Sequence, residues 1–587
     1  MIEKDKPKNS KKSFLRLFSY LYKEDKSIPL IVFLMLLNIA CTLTTSYLLR
    51  PLINDYILPK KFNEFPYMLA TLAGVYLLGV IAVYLQNKYL VHLGQNTITK
   101  LRQELFEKME RLPIRFFDSK RHGDLMSRYT NDMDRISDVL TDSLAELFVS
   151  SLMLVSIFVI MIYISPLLTL IVAITLPLMY LAVRKIVKRS RLYFQKQQKS
   201  VGELNGYIEE MITASSVIKV FNHEEKIKND FQILNNQLNE EAKKAQLYSG
   251  MIMPLMQNFN TLNFVFITIV GGFLALTNHL DVGGLASFIQ YSRRFGGPIN
   301  QLATMYNNLQ SALASAERVF ELLDSEPESE VTNKPLLIEN FKGDIVFDRV
   351  VFGYKPNKTI LKEVSFHILS GSKVALVGPT GAGKTTIFNL LPRFFDCDSG
   401  DIRIDNNSIY DIKKQNLREK ITLVLQDTHL FSGTIMENIR FGRPQASDEE
   451  VIQAAKIATA HSYIQNLPNG YNTYLENDGS NLSQGQRQLL NIARAAIANP
   501  QILLLDEATS NIDSQSEVLI QKGLYQLMQD RTTLIIAHRL STVRSVDKIL
   551  VIKKGEIAEE GTHEELIAQK GLYHSLYKEQ YFNRVNS

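Results

Sequence analysis

Six long apolar stretches in the first half of the chain constrain its fold more than any other feature. They run roughly over Pro29–Leu49, Tyr67–Leu85, Leu147–Ile164, Leu167–Val183, Met253–Leu276 and Val282–Ala303. Each approaches the ~20 residues that a helix needs to cross a ~30 Å hydrocarbon layer, where backbone groups must be satisfied within the segment itself. Only the last carries charge, at Arg293 and Arg294. Ser165-Pro166 alone separates the third and fourth stretches, and a short segment with Asp281, Gly283 and Gly284 separates the fifth and sixth, so each pair is expected to form a tight hairpin. The connections after the second and fourth stretches are polar, helical in pattern and poor in Gly and Pro, which predicts helices that run far beyond the bilayer. The whole-chain average of 46% hydrophobic and 21% charged residues conceals this division.

Basic residues set the expected orientation. Lys4, Lys6, Lys8, Lys11, Lys12, Arg16, Lys23 and Lys26 precede the first span, and both long polar connections are rich in Lys and Arg, whereas the hairpin loops are nearly free of them. The amino terminus and the polar connections are therefore expected on the cytoplasmic side of the cell membrane, in a multi-pass arrangement. Ser13–Tyr22 has aromatic and aliphatic residues at helical spacing beside basic ones, as an amphipathic helix on the inner membrane surface would. The first apolar run is too long, and lacks the small-residue cleavage site, for a cleavable signal peptide. Cys41 and Cys397 cannot supply a disulfide framework or a four-ligand zinc site. A net charge of +5, from 65 basic and 60 acidic residues, gives no reason to expect a nucleic-acid partner.

The expected organisation is a cytoplasmic amphipathic elbow at 1–27, a six-helix transmembrane domain at 28–316, a linker at 317–340 and an α/β nucleotide-binding domain at 341–587. Asp324–Asn340 is acidic, Pro-containing and non-periodic, as a linker is. Beyond it, strand-like runs alternate with helical stretches.

The strongest motif is Gly378-Pro379-Thr380-Gly381-Ala382-Gly383-Lys384-Thr385, which follows the strand-like Lys373–Val377 and opens a helical stretch at Thr386. This is a complete phosphate loop: its glycines let backbone N–H groups turn toward phosphates, Lys384 reaches the β and γ oxygens, and Thr385 can hold Mg²⁺. Further along, Ile502–Leu505 is an apolar strand that delivers Asp506 and Glu507 to its end. Asp506 suits a magnesium partner, and Glu507 suits a base that orients the attacking water.

Between these motifs, Leu482-Ser483-Gln484-Gly485-Gln486 resembles the signature sequence of ATP-binding cassette (ABC) proteins. With the order of motifs and the preceding spans, nearly the whole chain is similar to the half-transporters of ABC exporters. The resemblance implies an ATPase that drives export, two chains sandwiching two ATP molecules, and a multidomain fold of a helical transmembrane domain followed by an α/β phosphate-loop domain. It implies that Tyr354 stacks on adenine, that Gln426 senses Mg²⁺ and the water, that His538 contacts the γ-phosphate, and that Asp513 crosses to the opposing nucleotide domain. The segment from Phe116-Phe117-Asp118 to Asp132, and Glu209–Phe221, resemble coupling helices. The implied substrates are amphipathic drugs, lipids or peptides; an ATP-gated channel or sensor using the same motor is the alternative.

Two places depart from the pattern. Gln484 stands where glycine is common, and Glu476-Asn477-Asp478 replaces the Gly-Glu-Arg usual before Gly479. Both lie on the face that would meet the partner, while the phosphate loop, Asp506, Glu507 and His538 are intact. This combination resembles the catalytically competent half of heterodimeric bacterial multidrug exporters, with a homodimer as the alternative. In the membrane half, Arg293 and Arg294 fall about mid-span, where a charge is costly and faces a cavity or partner. Gly296-Gly297-Pro298 is expected to break or kink the helix there. Phe259, Asn260, Asn263, Phe264, Phe266, Gln290, Tyr291 and Tyr306 are candidates to line a mixed pocket.

Overall fold

A computed structural model describes residues 10–24, 27–328, 336–355, 357–425, 428–507, 513–537 and 543–585, without the side chains at 300, 303, 507 and 580–585. The chain divides into two compact units. The first comprises the described residues of Met1–Glu110 and His122–Ser325, and the second those of Arg111–Arg121 and Glu326–Ser587.

The first unit is helical. Helix α1 (Ser10–Glu24) is amphipathic, with Leu17 and Leu21 buried and Leu15, Phe18 and Tyr22 exposed. Among the described residues five helices are long and apolar enough to cross a membrane: α2 (Ile28–Ile57), α3 (Phe65–Glu110), α4 (His122–Ile164), α5 (Pro166–Thr213) and α6 (Glu224–Leu276). Helix α7 (Val282–Leu323) is equally long, but Arg293, Arg294 and its polar neighbours dilute its hydropathy, so five of the six expected spans meet the apolar criterion and the sixth does not. At 46 residues, α3 is roughly 69 Å long at ~1.5 Å per residue, more than twice the hydrocarbon thickness. The helices thus continue far past the membrane, as their polar extensions predict.

Both hairpin turns have a local cause. Ser165 is extended at φ −159°, its hydroxyl accepts from the Leu168 amide, and Pro166 occupies the first turn of α5, where its missing N–H costs nothing. Asp281 caps α7 by accepting from the Gly284 amide, and Arg50 and Asn54 at the end of α2 also donate to its carboxylate. Toward the other end of α7, Asp132 of α4 is almost fully buried and accepts from Arg318 Nε at 2.9 Å and Ser315 Oγ at 2.8 Å. A buried carboxylate with these partners fixes the register of α4 against α7, because removing either side would strand a charge. Helix α7 continues through Gly296-Gly297-Pro298 without the break expected there.

Among the described residues the second unit holds three sheets, the smallest an antiparallel pair of β7 (Gly433–Thr434) and β8 (Tyr474–Leu475). A four-stranded antiparallel sheet has the order β2-β1-β4-β5, from β1 (Ile345–Phe352), β2 (Leu361–Ile368), β4 (Ser399–Ile404) and β5 (Asn407–Ser408). A six-stranded sheet has the order β12-β11-β3-β10-β9-β6, from β3 (Lys373–Val377), β6 (Ile421–Val424), β9 (Ile502–Glu507), β10 (Thr532–Ala537), β11 (Lys548–Lys553) and β12 (Glu556–Gly561). Its strands are parallel except β12. Successive side chains of β9 enter different cores: Leu503 and Leu505 pack into one, Ile502 and Leu504 into the other. The same alternation in β3, β10 and β11 makes this a sheet covered on both faces, which explains why its strands read as unbroken aliphatic runs.

Candidate nucleotide site

Strand register brings the separated motifs to one edge. Leu376 of β3 pairs with Ile536 of β10, which pairs with Asp506 of β9, and Ala537 pairs with Glu507. The carboxyl ends of β3, β9 and β10 therefore lie level, and the phosphate loop leaves β3 one strand away, across β10, from the strand end that carries the two acids. Ligands of open α/β sheets bind at this edge.

The loop conformation depends on glycine. At Gly378, φ is +157° and a Cβ would collide with the Ile552 carbonyl; at Gly383, φ is +110° and a Cβ would sit 2.8 Å from Leu361 Cδ2. Helix α8 (Lys384–Leu390) follows, with Thr385 exposed and Thr386 buried. Lys384 is only 7% exposed, and its Nζ donates to the carbonyls of Gly378 at 2.7 Å and Pro379 at 3.1 Å. Burial pushes the ammonium pKa down, and the Asp506 carboxylate opposes that shift. An ammonium enclosed by its own loop, in a cradle that a Cβ would fill, fits a phosphate group that takes over those two hydrogen bonds.

Tyr354 is half-buried. Its ring packs edge-to-face with Phe352 and Phe395 at centroid distances of 5.0 and 5.1 Å, and its hydroxyl accepts from Asn389 Nδ2 at 2.9 Å. Asn389, on the helix that follows the phosphate loop, thus orients the aromatic group, a contact that 35 residues of separation hid from the sequence. Gln426 and His538, and the side chain of Glu507, lie outside the described residues.

The signature opens helix α9 (Gln484–Ala498) through a reciprocal cap: Ser483 Oγ accepts from the Gln486 amide, and Gln486 Oε1 accepts from the Ser483 amide. Two N–H groups at this helix start are already satisfied from within the chain. Gln484 is exposed at the first helical position, whereas Gly485 is buried. Just upstream, Asn477 (φ 41°) and Asp478 (φ 63°) adopt left-handed backbone, which Asn and Asp tolerate better than most residues. Asp478 Oδ1 accepts from the Leu430 amide at 2.7 Å, and its other oxygen lies 3.5 Å from His429 Nδ1.

The same segment is held from the far end of α9. Arg494 donates to the carbonyls of His429 and Asn438 and to Asn438 Oδ1, while Asn438 bridges both backbone groups of Phe431. Burial pushes the Arg494 pKa below its ordinary value. Asp478, Asn438 and Arg494 therefore brace residues 429–431, shortly after Gln426 in the chain, with Arg494 tying them to the signature helix. The sequence marks Asp478 only as part of a departure from the family pattern and carries no signal for Asn438 or Arg494; the Asn-Asp-Gly turn signal at 477–479 is the one local cue. Asp513, expected to reach an opposing domain, caps its own helix α10 (Ser514–Leu527) by accepting from the Ser516 amide at 2.9 Å, which holds its carboxyl below the usual range.

Comparison with known proteins decides the family. Residues 28–299 match the ABC transporter transmembrane region, and residues 361–510 match the ABC transporter family. The chain is an ABC exporter half-transporter. It is 42% identical, over 98% of its length and 95% of the relative's, to the uncharacterized ABC transporter ATP-binding protein YfiC of Bacillus subtilis. It is 41% identical, over 89% of its length and 83% of the relative's, to a fatty acid ABC transporter ATP-binding/permease protein of Mycobacterium bovis. Its fold is similar to that of a bacterial Atm1-family ABC exporter with ATP bound, at 28% identity and a TM-score of 0.76, covering 95% of this chain and 99% of that one. The half-transporter is a multi-pass membrane protein that binds ATP, couples its hydrolysis to transport and acts as a dimer in the bilayer.

Proposed function

We propose that this half-transporter exports lipid-like amphiphiles from the cytoplasm across the cell membrane by alternating access, with its amino terminus and nucleotide-binding domain on the cytoplasmic side. The observation that carries the ATP-driven part is the level alignment of β3, β9 and β10, with the buried Lys384 under the influence of Asp506. The 41% identity to a protein named as a fatty acid transporter favours lipids among the amphiphiles. The proposed domain limits are 28–316 for the membrane part and 341–587 for the nucleotide part.

In this reading Tyr354 stacks on adenine, and Gly378, Pro379, Thr380, Gly381, Ala382, Gly383, Lys384, Thr385 and Thr386 wrap the phosphates. Thr385, Asp506 and Gln426 would hold Mg²⁺, whose charge offsets that of the phosphates. Glu507 takes a proton from the attacking water, and His538 donates toward the γ-phosphate oxygens. Ser483, Gln484, Gly485 and Gln486 face the nucleotide bound by the other chain. The short helices Ile114–Ser119 and Ser215–Phe221 act as coupling helices.

The partner is proposed to be a different, homologous half-transporter, because exposed Gln484 adds bulk where a partner's nucleotide would approach. The test of export is ATP-dependent accumulation of a labelled fatty acid or phospholipid in inside-out vesicles. Accumulation that vanishes in Lys384→Ala supports it, and its absence across lipids, peptides and drugs would favour a sensor or channel.

A further inference from the structure

The two adjacent arginines of α7 have different surroundings. The Arg293 guanidinium lies over the Phe264 ring of α6 at 4.8 Å, an ordinary cation–π resting place. Arg294 instead lines a cleft of about 270 Å³ between α2 and α3, together with Asn38, Cys41, Thr42, Thr45 and Tyr76. No described carboxylate pairs with it. Arg294 is 12 residues into α7 and Asn38 is 10 into α2, which places both roughly 15–18 Å along their helices, near the middle of the hydrocarbon. A partly buried cation at this depth without a counter-charge is costly unless something anionic neutralises it.

The polar wall is arranged to meet an anion. Thr42 Oγ1 donates to Asn38 Oδ1 at 3.5 Å, which leaves the Asn38 amide N–H groups as donors in the cleft that Arg294 also lines. Thr45 spends its hydroxyl proton on the Cys41 carbonyl at 2.7 Å and does not compete. From α3, Val75, Val80 and Val83 add apolar lining to the same cleft. The volume is below the ~300–1,000 Å³ of sites that enclose a whole drug-sized molecule, so the cleft suits a headgroup and the first part of a chain.

We infer that Arg294 and Asn38 form the headgroup subsite for an anionic single-chain amphiphile, with a carboxylate or phosphate head on Arg294 and its alkyl chain against the valines of α3. The inference rests on the amphiphile-export reading, and its test reads binding separately from transport. The full transporter, purified with its partner, is photolabelled with a diazirine-bearing decanoic acid and with its methyl ester, and the labelled peptides are mapped by mass spectrometry. The acid is expected to label α2 and α3, the ester at most weakly, and Arg294→Gln is expected to cut the labelling about tenfold, the loss of a charged hydrogen bond. Arg293→Gln is expected to leave it within about twofold, since a cation–π contact to Phe264 is not part of the subsite. Arg294→Lys, which retains the charge if the glutamine variant misfolds, is expected to keep most of the labelling. Competition by decanoate and by decyl phosphate tells which head is preferred, and decylamine is expected not to compete. Equal labelling by acid and ester, or full labelling of Arg294→Gln, overturns the subsite, as does an Arg294→Gln transporter that instead loses its partner chain, which would assign Arg294 to the dimer contact. Labelling that follows these expectations in a transporter that moves neither amphiphile would retain the subsite and overturn the export reading.

Discussion

The phosphate loop and the signature segment are both short connections that lead into a helix, yet they are built differently. In the loop, Gly378 and Gly383 sit where any side chain would collide, and buried Lys384 points its ammonium back at the loop's own carbonyls. In the signature segment Ser483 and Gln486 satisfy each other, exposed Gln484 takes the first helical position, and Asn477 and Asp478 supply the left-handed turns. The first arrangement stores donors for a ligand, and the second spends them within the chain. The difference separates a ligand cradle from a self-capped helix start; the proposal of unequal ATP sites rests on exposed Gln484 and the altered Glu476-Asn477-Asp478 stretch within the second.

The largest effect should come from the acidic strand end across β10 from the loop. Glu507→Gln is expected to leave ATP binding intact and to cut turnover by about 10²-fold or more, because base and water orientation are lost together. Steady-state ATPase of the purified transporter decides this; an unchanged rate would remove Glu507 from the role. Lys384→Ala should weaken nucleotide binding itself by about 10–100-fold, the value of a charge-assisted phosphate contact of about 1.5–3 kcal/mol. Equilibrium binding of a fluorescent ATP analogue measures it, and unaltered affinity would break the comparison on its stronger side.

On the signature side the effects should be smaller. Asp478→Ala strands the Leu430 amide, and about 1–2 kcal/mol of local stability should be lost. Hydrogen exchange should rise over residues 429–431 while nucleotide affinity stays the same. Smaller still, Gln484→Gly should raise ATPase of the assembled transporter by about 2–5-fold, equivalent to about 0.4–1 kcal/mol at the barrier. A fall in rate would show that Gln484 aids the partner's nucleotide site.

The fold was legible wherever one physical rule dominated. Apolar runs of bilayer length, the Ser165-Pro166 turn and the aliphatic strands around the phosphate loop all correspond to elements of the structure. The sixth span shows the limit, since Arg293 and Arg294 make α7 fail an apolar criterion that its length satisfies. Gly296-Gly297-Pro298 promised a break, but flanking helix and packing override local propensity there. Tyr291, a candidate pocket residue, is fully buried with its hydroxyl on the Leu43 carbonyl, because period alone cannot say which face of a long helix meets a neighbour. Within the candidate site, motif residues were readable and their supports were not. Asn389, Asn438, Asp478 and Arg494 act through contacts of 7 to 65 residues' separation, which no local pattern encodes.

In the proposed function this half-transporter needs a different partner to complete two unequal ATP sites. Expressing and purifying the chain alone tests it directly, by measuring oligomeric state, ATPase and reconstituted transport in one preparation. The expected result is no stable, fully active homodimer, with substrate-stimulated hydrolysis appearing only when a homologous half-transporter is co-expressed. A stable homodimer with full substrate-stimulated ATPase and transport would contradict it.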